Sequence, residues 1–381
     1  MLLCVATPEL VVRFASLNYS PLPRGPNRIR AQGNPLRNGL DFALFPYSGI
    51  MLLRHLALAA VLFSGISAIA QGPAYRYIRV GNAANTETSP RPGFALMGGG
   101  DDLDEAFRFL CDRSGSGDFL ILRSHGGDDY NPYIQKICRQ NSVATLIIPS
   151  RAAAADPIVA RVIAHASAIF IAGGDQGEYI DFWKDTPVQT ELNRAIARGV
   201  PIGGTSAGLA VLGQFIYTAL GDKPNDPNLD GKTALANPIG PRIAIDRDFL
   251  DIPLLKNTIT DTHFAERNRM GRLLVFLARL HQEGASGIRA IAVDERSAVL
   301  VELTGEARVI GLGRGAWFID SSMATGTLAD SAPFTFGPYA VKKVLPGHAF
   351  NLKTWSGDSI TYELTVLAAK IRSTQPGGSV Y

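Results

Sequence analysis

The run from Gly199 to Gly213 constrains this chain more than any other stretch. A short apolar segment, Val200-Pro201-Ile202, leads into Gly203-Gly204. Ser206 then sits among small residues, and a segment of helical periodicity follows. The pattern predicts a strand, a sharp turn and a helix starting at Ser206, with Gly204 and Gly208 framing the serine as G-x-S-x-G. A nucleophile held in such a turn exposes its hydroxyl, and only small neighbours let backbone and substrate approach that closely. A helix starting at Ser206 also aims free N–H groups at a developing oxyanion.

From about Tyr75 onward, short apolar runs alternate with amphipathic segments. Phe94–Met97, Phe119–Leu122, Ala144–Ile148, Ala168–Ala172 and the run before Ser206 read as strands. Leu103–Asp112, Pro132–Arg139, Asp156–Ala164, Gly177–Trp183 and Val188–Ala197 read as helices. This alternation predicts an α/β fold: a three-layer α/β/α sandwich with a mostly parallel central sheet. In such sheets ligands bind beyond the carboxyl ends of the strands. The Gly98–Gly100, Gly173-Gly174 and Gly203–Gly208 turns all fall there and should converge on one cleft. Gly221–Pro253 breaks the rhythm as a long loop, placed either as a lid or as a plain insertion. Beyond it, Thr258–Thr260 reads as a strand and Phe264–Gln282 as a helix. Ile288–Val293, Ala298–Glu302, Ala307–Gly311, Trp317–Ile319 and Ile360–Val366 are antiparallel in character and should add edge strands to the sheet. Residues 75–381 read as a single domain.

Residues 1–70 hold six arginines against one Glu and one Asp, which leaves 31 basic and 32 acidic residues in the remainder. That balance implies no basic surface for nucleic acid. Within residues 51–70, a cationic start at Met51–His55 precedes an apolar run, Leu56–Ile66, and a small-x-small site, Ala68-Ile69-Ala70. The stretch reads as a secretory signal peptide, too short to serve as a membrane anchor. Residues 1–50 read as an over-extended or disordered N-terminus ahead of a true start at Met51, and the mature chain as periplasmic or extracellular. A buried apolar helix behind a disordered arm is the alternative. Cys111 and Cys138 remain after the leader. Export permits a disulfide between them, but they show no framework spacing, so two buried thiols are expected. With no H-E-x-x-H and no paired C-x-x-C, neither a metal nor a cofactor is called for.

A serine nucleophile needs a base. His263 follows a short strand at Thr260-Asp261 and should share the carboxyl edge of the sheet. His125, ending a strand beside Gly126-Gly127, is its rival. His165 and His281 sit late in helices, and His348 lies in a loop. An orienting carboxylate fits at Asp294-Glu295, which closes Ile291–Val293. The order serine, histidine, acid differs from the serine, acid, histidine order of the α/β-hydrolase fold.

Four blocks together resemble a known family. Ile171–Gln176, Gly204–Gly208, Asp261–Phe264 with Arg267, Arg269 and Arg272, and Val293–Glu295 look like the signature blocks of the cyanophycinase-like serine peptidases. These are relatives of aspartyl dipeptidase, with a fold akin to class I glutamine amidotransferases. The resemblance runs from about Gly93 to about Val301. It implies Ser206 as nucleophile, His263 as general base and Glu295 as orienting acid, with an oxyanion hole from the N–H groups of Ala207 and the Gly174-Asp175 turn. It further implies that Gln176, Asp261, Thr262, Arg269 and Arg272 line the substrate site. Thr262 stands where cyanophycinases typically carry Gln, which leaves the hydrolytic chemistry in place and the preferred bond open among cyanophycin, isoaspartyl and N-terminal aspartyl peptides. Arg269 and Arg272 lie three apart on one predicted helix face, with Glu266 available to pair with Arg269. Arginines aimed at a cleft grip a carboxylate bidentately, which suits aspartyl substrates. Gln176 serves either a substrate amide or the cap of the next helix, and Asp261 either a substrate cation or backbone donors at its turn. The implied partner is a peptide or isopeptide with aspartyl residues, with room for a homodimer. A non-catalytic binding protein and a small-molecule amidase or esterase on the same fold are the rival functions.

Overall fold

The computed structural model describes residues 74–381, apart from 224–225 and 330–331. The proposed leader and the arm before it lie outside the described residues. Among the described residues, no helix is long and apolar enough to cross a membrane.

The first half alternates as its periodicity dictates. Strands β1 (Arg76–Gly81), β2 (Gly93–Met97), β3 (Asp118–Arg123), β4 (Ser142–Ile147), β5 (Ala168–Ile171) and β6 (Ile202–Thr205) are separated by helices. These are α1 (Asp104–Arg113), α2 (Tyr130–Ile137), α3 (Arg151–Ala154), α4 (Pro157–Ala164), α5 (Gln176–Trp183) and α6 (Pro187–Ala197). The order β4-β3-β5-β6-β2 is parallel throughout. Alternate residues feed opposite cores. Phe94, Leu96, Leu120 and Leu122 join the cluster under α4 to α6, while Ala95, Met97, Phe119 and Ile121 join the one under α1 and α2. That is the behaviour of parallel strands covered on both faces.

The second half departs from a simple extension of that sheet. After α7 (Ala207–Ala210) come β7 (Phe215–Tyr217), α8 (Gly231–Ala236), β8 (Ile245–Arg247), β9 (Thr258–Asp261), α9 (Met270–Gln282), β10 (Arg289–Val293), β11 (Ser297–Glu302), β12 (Glu306–Gly311) and β13 (Ala316–Asp320). The remaining strands are β14 (Thr325–Ala329), β15 (Ala332–Val344), β16 (Ala349–Asn351), β17 (Ser356–Gly357), β18 (Ile360–Leu367) and β19 (Lys370–Ser373). As expected, β11 and β12 extend the first sheet beyond β2, followed by β16 and β17. The others form a second sheet, β19-β18-β15-β13-β10-β9-β7-β8. A strand has two edges, and those of β2 are already taken by β6 and β11. So β9 pairs instead with β10 and β7, parallel to both. In β10, Ile291 and Val293 face the core shared with the first sheet, and Ala290 and Ala292 face the core that includes α9. The α/β/α sandwich thus carries a second sheet stacked against part of one face.

Three local expectations change. The helix after Ser206 is a single turn, within which Gly208 packs so tightly on Ile171 that a Cβ there would lie 1.9 Å from its carbonyl oxygen. The helix expected from Phe264 begins only at Met270. His263 and Asn268 hold positive φ, and Asp294 Oδ1 accepts from the N–H groups of Ala265 and Glu266, so residues 264–268 form turns instead. Cys111 and Cys138 are joined as a disulfide rather than resting as two thiols. Cys111 lies on the buried face of α1 and Cys138 just after α2, with Cα atoms 6.2 Å apart, so helix packing rather than sequence spacing brings them within bridging reach.

Candidate active site

The G-x-S-x-G turn is built as the sequence demands. Ser206 holds φ 52° and ψ −118°, a conformation that costs about 1–3 kcal/mol and persists only when its surroundings over-determine it. Its N–H donates to Met97 O at 3.2 Å. A Cβ on Gly204 would lie 2.4 Å from the Gly208 backbone, so strand and turn meet too closely for any side chain there. Beside them, a Cβ on Gly173 would approach Ser206 Cβ to 3.5 Å, which sets the Gly173-Gly174 turn against the serine. Tyr179 braces that turn by donating to Ala172 O and Gly173 O.

Ser206 Oγ lies 2.7 Å from His263 Nε2, and His263 Nδ1 lies 2.5 Å from Glu295 Oε1. Strand topology explains the meeting. Parallel β9 and β10 end together, so His263, after the first, stands beside Glu295, after the second. β11 then runs antiparallel to β2 and brings that connection to the Gly98–Gly100 turn, next to the end of β6. The N–H of His263 donates to Gly98 O and that of Arg296 to Gly99 O. His125, the rival base, pairs instead with Glu178. Asp294 caps the turn after His263, which leaves Glu295 as the carboxylate on the imidazole.

His263 is buried, and burial lowers its proton affinity below the usual histidine value. Glu295 pulls the other way, while Arg267 and Arg269 add to the lowering. A neutral imidazole therefore survives to lower pH than an exposed one. Labelling of Ser206 by a fluorophosphonate, measured against pH, should lose rate on the acid side only below 6.5, the ordinary histidine value. A midpoint above 6.5 would contradict this environment.

A pocket of about 80 Å³ adjoins the serine. Gly174, Gln176, Thr262, Arg269 and Arg272 border it as the sequence suggests, and so does Arg267. Asp261 lies behind it. Its carboxylate accepts from Arg272 Nε and Nη2 and from the Thr262 N–H, so it is engaged within the protein and not open to a substrate cation. Arg269 donates from Nη1 to Thr262 O and Oγ1 and does not pair with Glu266, which is exposed. Gln176 leaves the cap of α5 to Asp175, whose side chain accepts from Gly177 N–H. Three guanidiniums thus converge against the carboxylates of Asp261 and Glu295. Arg269 has a buried Nε without a partner, and burial, with Arg272 second, pushes its guanidinium down to about 9. Such a site favours an anion.

The far wall comes from residues that sequence reasoning did not select: Tyr217, Asp222, Asn228 and Leu229. They lie at the end of β7 and in the stretch read as lid or insertion. That stretch packs Leu229, Ala234 and Ile243 into the core, and Leu229 O accepts from Arg272 Nη1. The placement of the loop was the only signal available for them. A wider cleft of about 930 Å³ between α1 and the β12–β16 edge contains none of the residues around Ser206.

Residues 124–306 match the model of Peptidase family S51, and part of the chain is similar to cyanophycinases. It is 27% identical over 230 residues to a cyanophycinase of Synechococcus elongatus, an alignment that covers 57% of this chain and 65% of the relative. A cyanophycinase of a Nostoc strain is 31% identical over 150 residues, 39% of this chain and 43% of the relative. The chain therefore spans less than two thirds of the length of these relatives. A crystal structure of a peptidase from an acI-B1 actinobacterium aligns over 71% of this chain and 95% of its own, at 15% identity and a TM-score of 0.43. A putative peptidase E of Listeria monocytogenes aligns over 58% and 99%, at 14% identity and a TM-score of 0.38.

Proposed function

We propose that the chain is an exported serine peptidase that hydrolyses aspartyl or β-aspartyl peptide bonds through an acyl-enzyme. The observation that carries this is the line from Ser206 Oγ to His263 Nε2 to Glu295 Oε1, at 2.7 and 2.5 Å. His263 takes the hydroxyl proton as Ser206 Oγ bonds to the substrate carbonyl carbon. The resulting oxyanion is received by the N–H groups of Ala207 and of the Gly174-Asp175 turn. His263 then gives the proton to the departing amine as the C–N bond breaks, which leaves an ester on Ser206. Water, deprotonated by the same imidazole, cleaves that ester and restores the serine. Glu295 fixes the imidazole and balances its charge.

Arg267, Arg269 and Arg272 beside the serine suit a substrate carboxylate, which favours an aspartyl acyl group. Export is favoured by the apolar leader at residues 51–70 and by the Cys111–Cys138 disulfide, a bond at home in an oxidising compartment. The test is a panel of N-terminal aspartyl dipeptides, isoaspartyl dipeptides and cyanophycin, beside matched asparaginyl peptides and simple esters. Turnover confined to the carboxylate-bearing members is expected. Equal turnover of the asparaginyl peptides would overturn the assignment of the arginines, and turnover of esters alone would replace the peptidase with an esterase.

A further inference from the structure

We propose that Tyr381 is a positioning residue, whose hydroxyl caps α9 and sets the arginines of the pocket for a substrate carboxylate; this rests on the reading of those arginines given above. α9 carries Arg272 in its first turn and starts beside Arg269, yet its N-terminus has no side-chain cap of its own. A helix leaves its first N–H groups unpaired, and Ser, Thr, Asp or Asn ordinarily accepts from one of them. The residue at that position here is Arg269, whose guanidinium has no acceptor and is spent on Thr262. The N–H of Met270, a buried residue, donates instead to Tyr381 Oη at 2.9 Å. That hydroxyl gives its own proton to Asn268 Oδ1 at 3.1 Å. Burial raises the phenol's pKa to about 12, so the proton stays in place at neutral pH.

Through Asn268 one phenol bears on both walls of the pocket. Asn268 stands between Arg267 and Arg269 and holds φ 50°. Its carbonyl accepts from the N–H of Gly231, the first residue of α8, at 2.9 Å. Just ahead of α8, Leu229 O accepts from Arg272 Nη1, and Leu229 belongs to the far wall. A Cβ on Gly231 would lie 2.8 Å from the Gly271 nitrogen, so α8 and the start of α9 meet backbone to backbone. The phenol is itself fixed. Its ring stands edge-on to Phe264 and Trp317, with centroids 5.8 and 5.9 Å away, and Tyr362 Oη donates to the preceding carbonyl, Val380 O, at 3.0 Å. Tyr381 lies outside residues 124–306, the stretch that matches the peptidase family.

The test is Tyr381→Phe, which keeps the ring and removes only the hydroxyl. Tyr339→Phe is the control, because Tyr339 Oη donates to Leu274 O at 2.9 Å, past the arginines on the same helix. The readouts are kcat and KM on an aspartyl dipeptide, and labelling of Ser206 by a fluorophosphonate that carries no carboxylate. Tyr381→Phe is expected to raise KM about tenfold, the equivalent of about one hydrogen bond, with kcat and labelling within about twofold of the parent. Tyr339→Phe should leave all three within about twofold. An unchanged KM in Tyr381→Phe, a matching loss in kcat and labelling, or the same rise in KM in Tyr339→Phe would each overturn the proposal. A parent that treats asparaginyl peptides like aspartyl ones, or turns over nothing, refutes the reading of the arginines instead. Amide hydrogen exchange at Gly231 then decides for Tyr381: faster exchange in Tyr381→Phe but not in Tyr339→Phe supports the clamp, and an unchanged rate ends it.

Discussion

Ser206→Ala is expected to lower kcat on an aspartyl dipeptide by roughly three to six powers of ten, the range found when a catalytic serine acting with its histidine is removed. The Ser206 side chain makes a hydrogen bond to His263 and is not part of the packed core. Alanine meets the same backbone constraint at φ 52°, so the fold should survive with its melting temperature little changed. What remains is the pocket. Substrate should still bind, because the guanidiniums of Arg267, Arg269 and Arg272 do not depend on the hydroxyl. A variant that binds normally, folds normally and does not turn over locates the chemistry at one oxygen atom. Full residual turnover would mean that another group attacks the substrate.

Gly99→Ala should also lower the rate, by a smaller factor, without touching any group that reacts. Gly99 holds φ +103°, and a Cβ there would lie 2.3 Å from the His263 ring. Something must yield, and Gly99 is fixed by donation from the Arg296 N–H to its own carbonyl, so the imidazole moves. Displacing it by about 1 Å spoils its approach to Ser206 and costs on the order of 10²-fold in rate. The strained backbone adds about 1–3 kcal/mol of instability. Gly284→Ala separates these effects: Gly284 also holds positive φ, +85°, but nothing lies within 4 Å of its Cβ position. Both variants should lose stability, measured by urea denaturation, but only Gly99→Ala should lose kcat. Equal kcat values for the two would show that the ring accommodates the methyl.

The features readable in the sequence were those governed by local chemistry. The strained serine turn follows from Gly204, Ser206 and Gly208, whose spacing suits no ordinary element. The parallel half follows from apolar runs that must be covered on both faces. His263 and Glu295 were readable because each closes a short strand. What stayed hidden depends on partners distant in sequence. That Asp261 is held by Arg272, and that Arg269 turns to Thr262 rather than Glu266, is decided by the turn at 264–268, which Asp294 caps from another strand. Helical periodicity ran through that turn without marking it. The disulfide was missed because α1 and α2 set its geometry, not the spacing of its cysteines. The pocket's far wall was missed because the stretch that forms much of it looks like any polar loop until Leu229 and Ile243 are seen to be buried.

The two stacked sheets carry a consequence for how this protein fails. Ser206 stands at a strand end in one sheet, His263 just past a strand end in the other, and Glu295 on the connection that leaves one for the other. Shearing one plane over its neighbour by an ångström would part hydroxyl, imidazole and carboxylate while every ladder of backbone hydrogen bonds stayed whole. Reactivity is therefore the first property to go and secondary structure the last. The greasy layer between the planes, with Val293, Val299, Ala316 and Phe318 among its members, governs turnover as surely as the polar rim does.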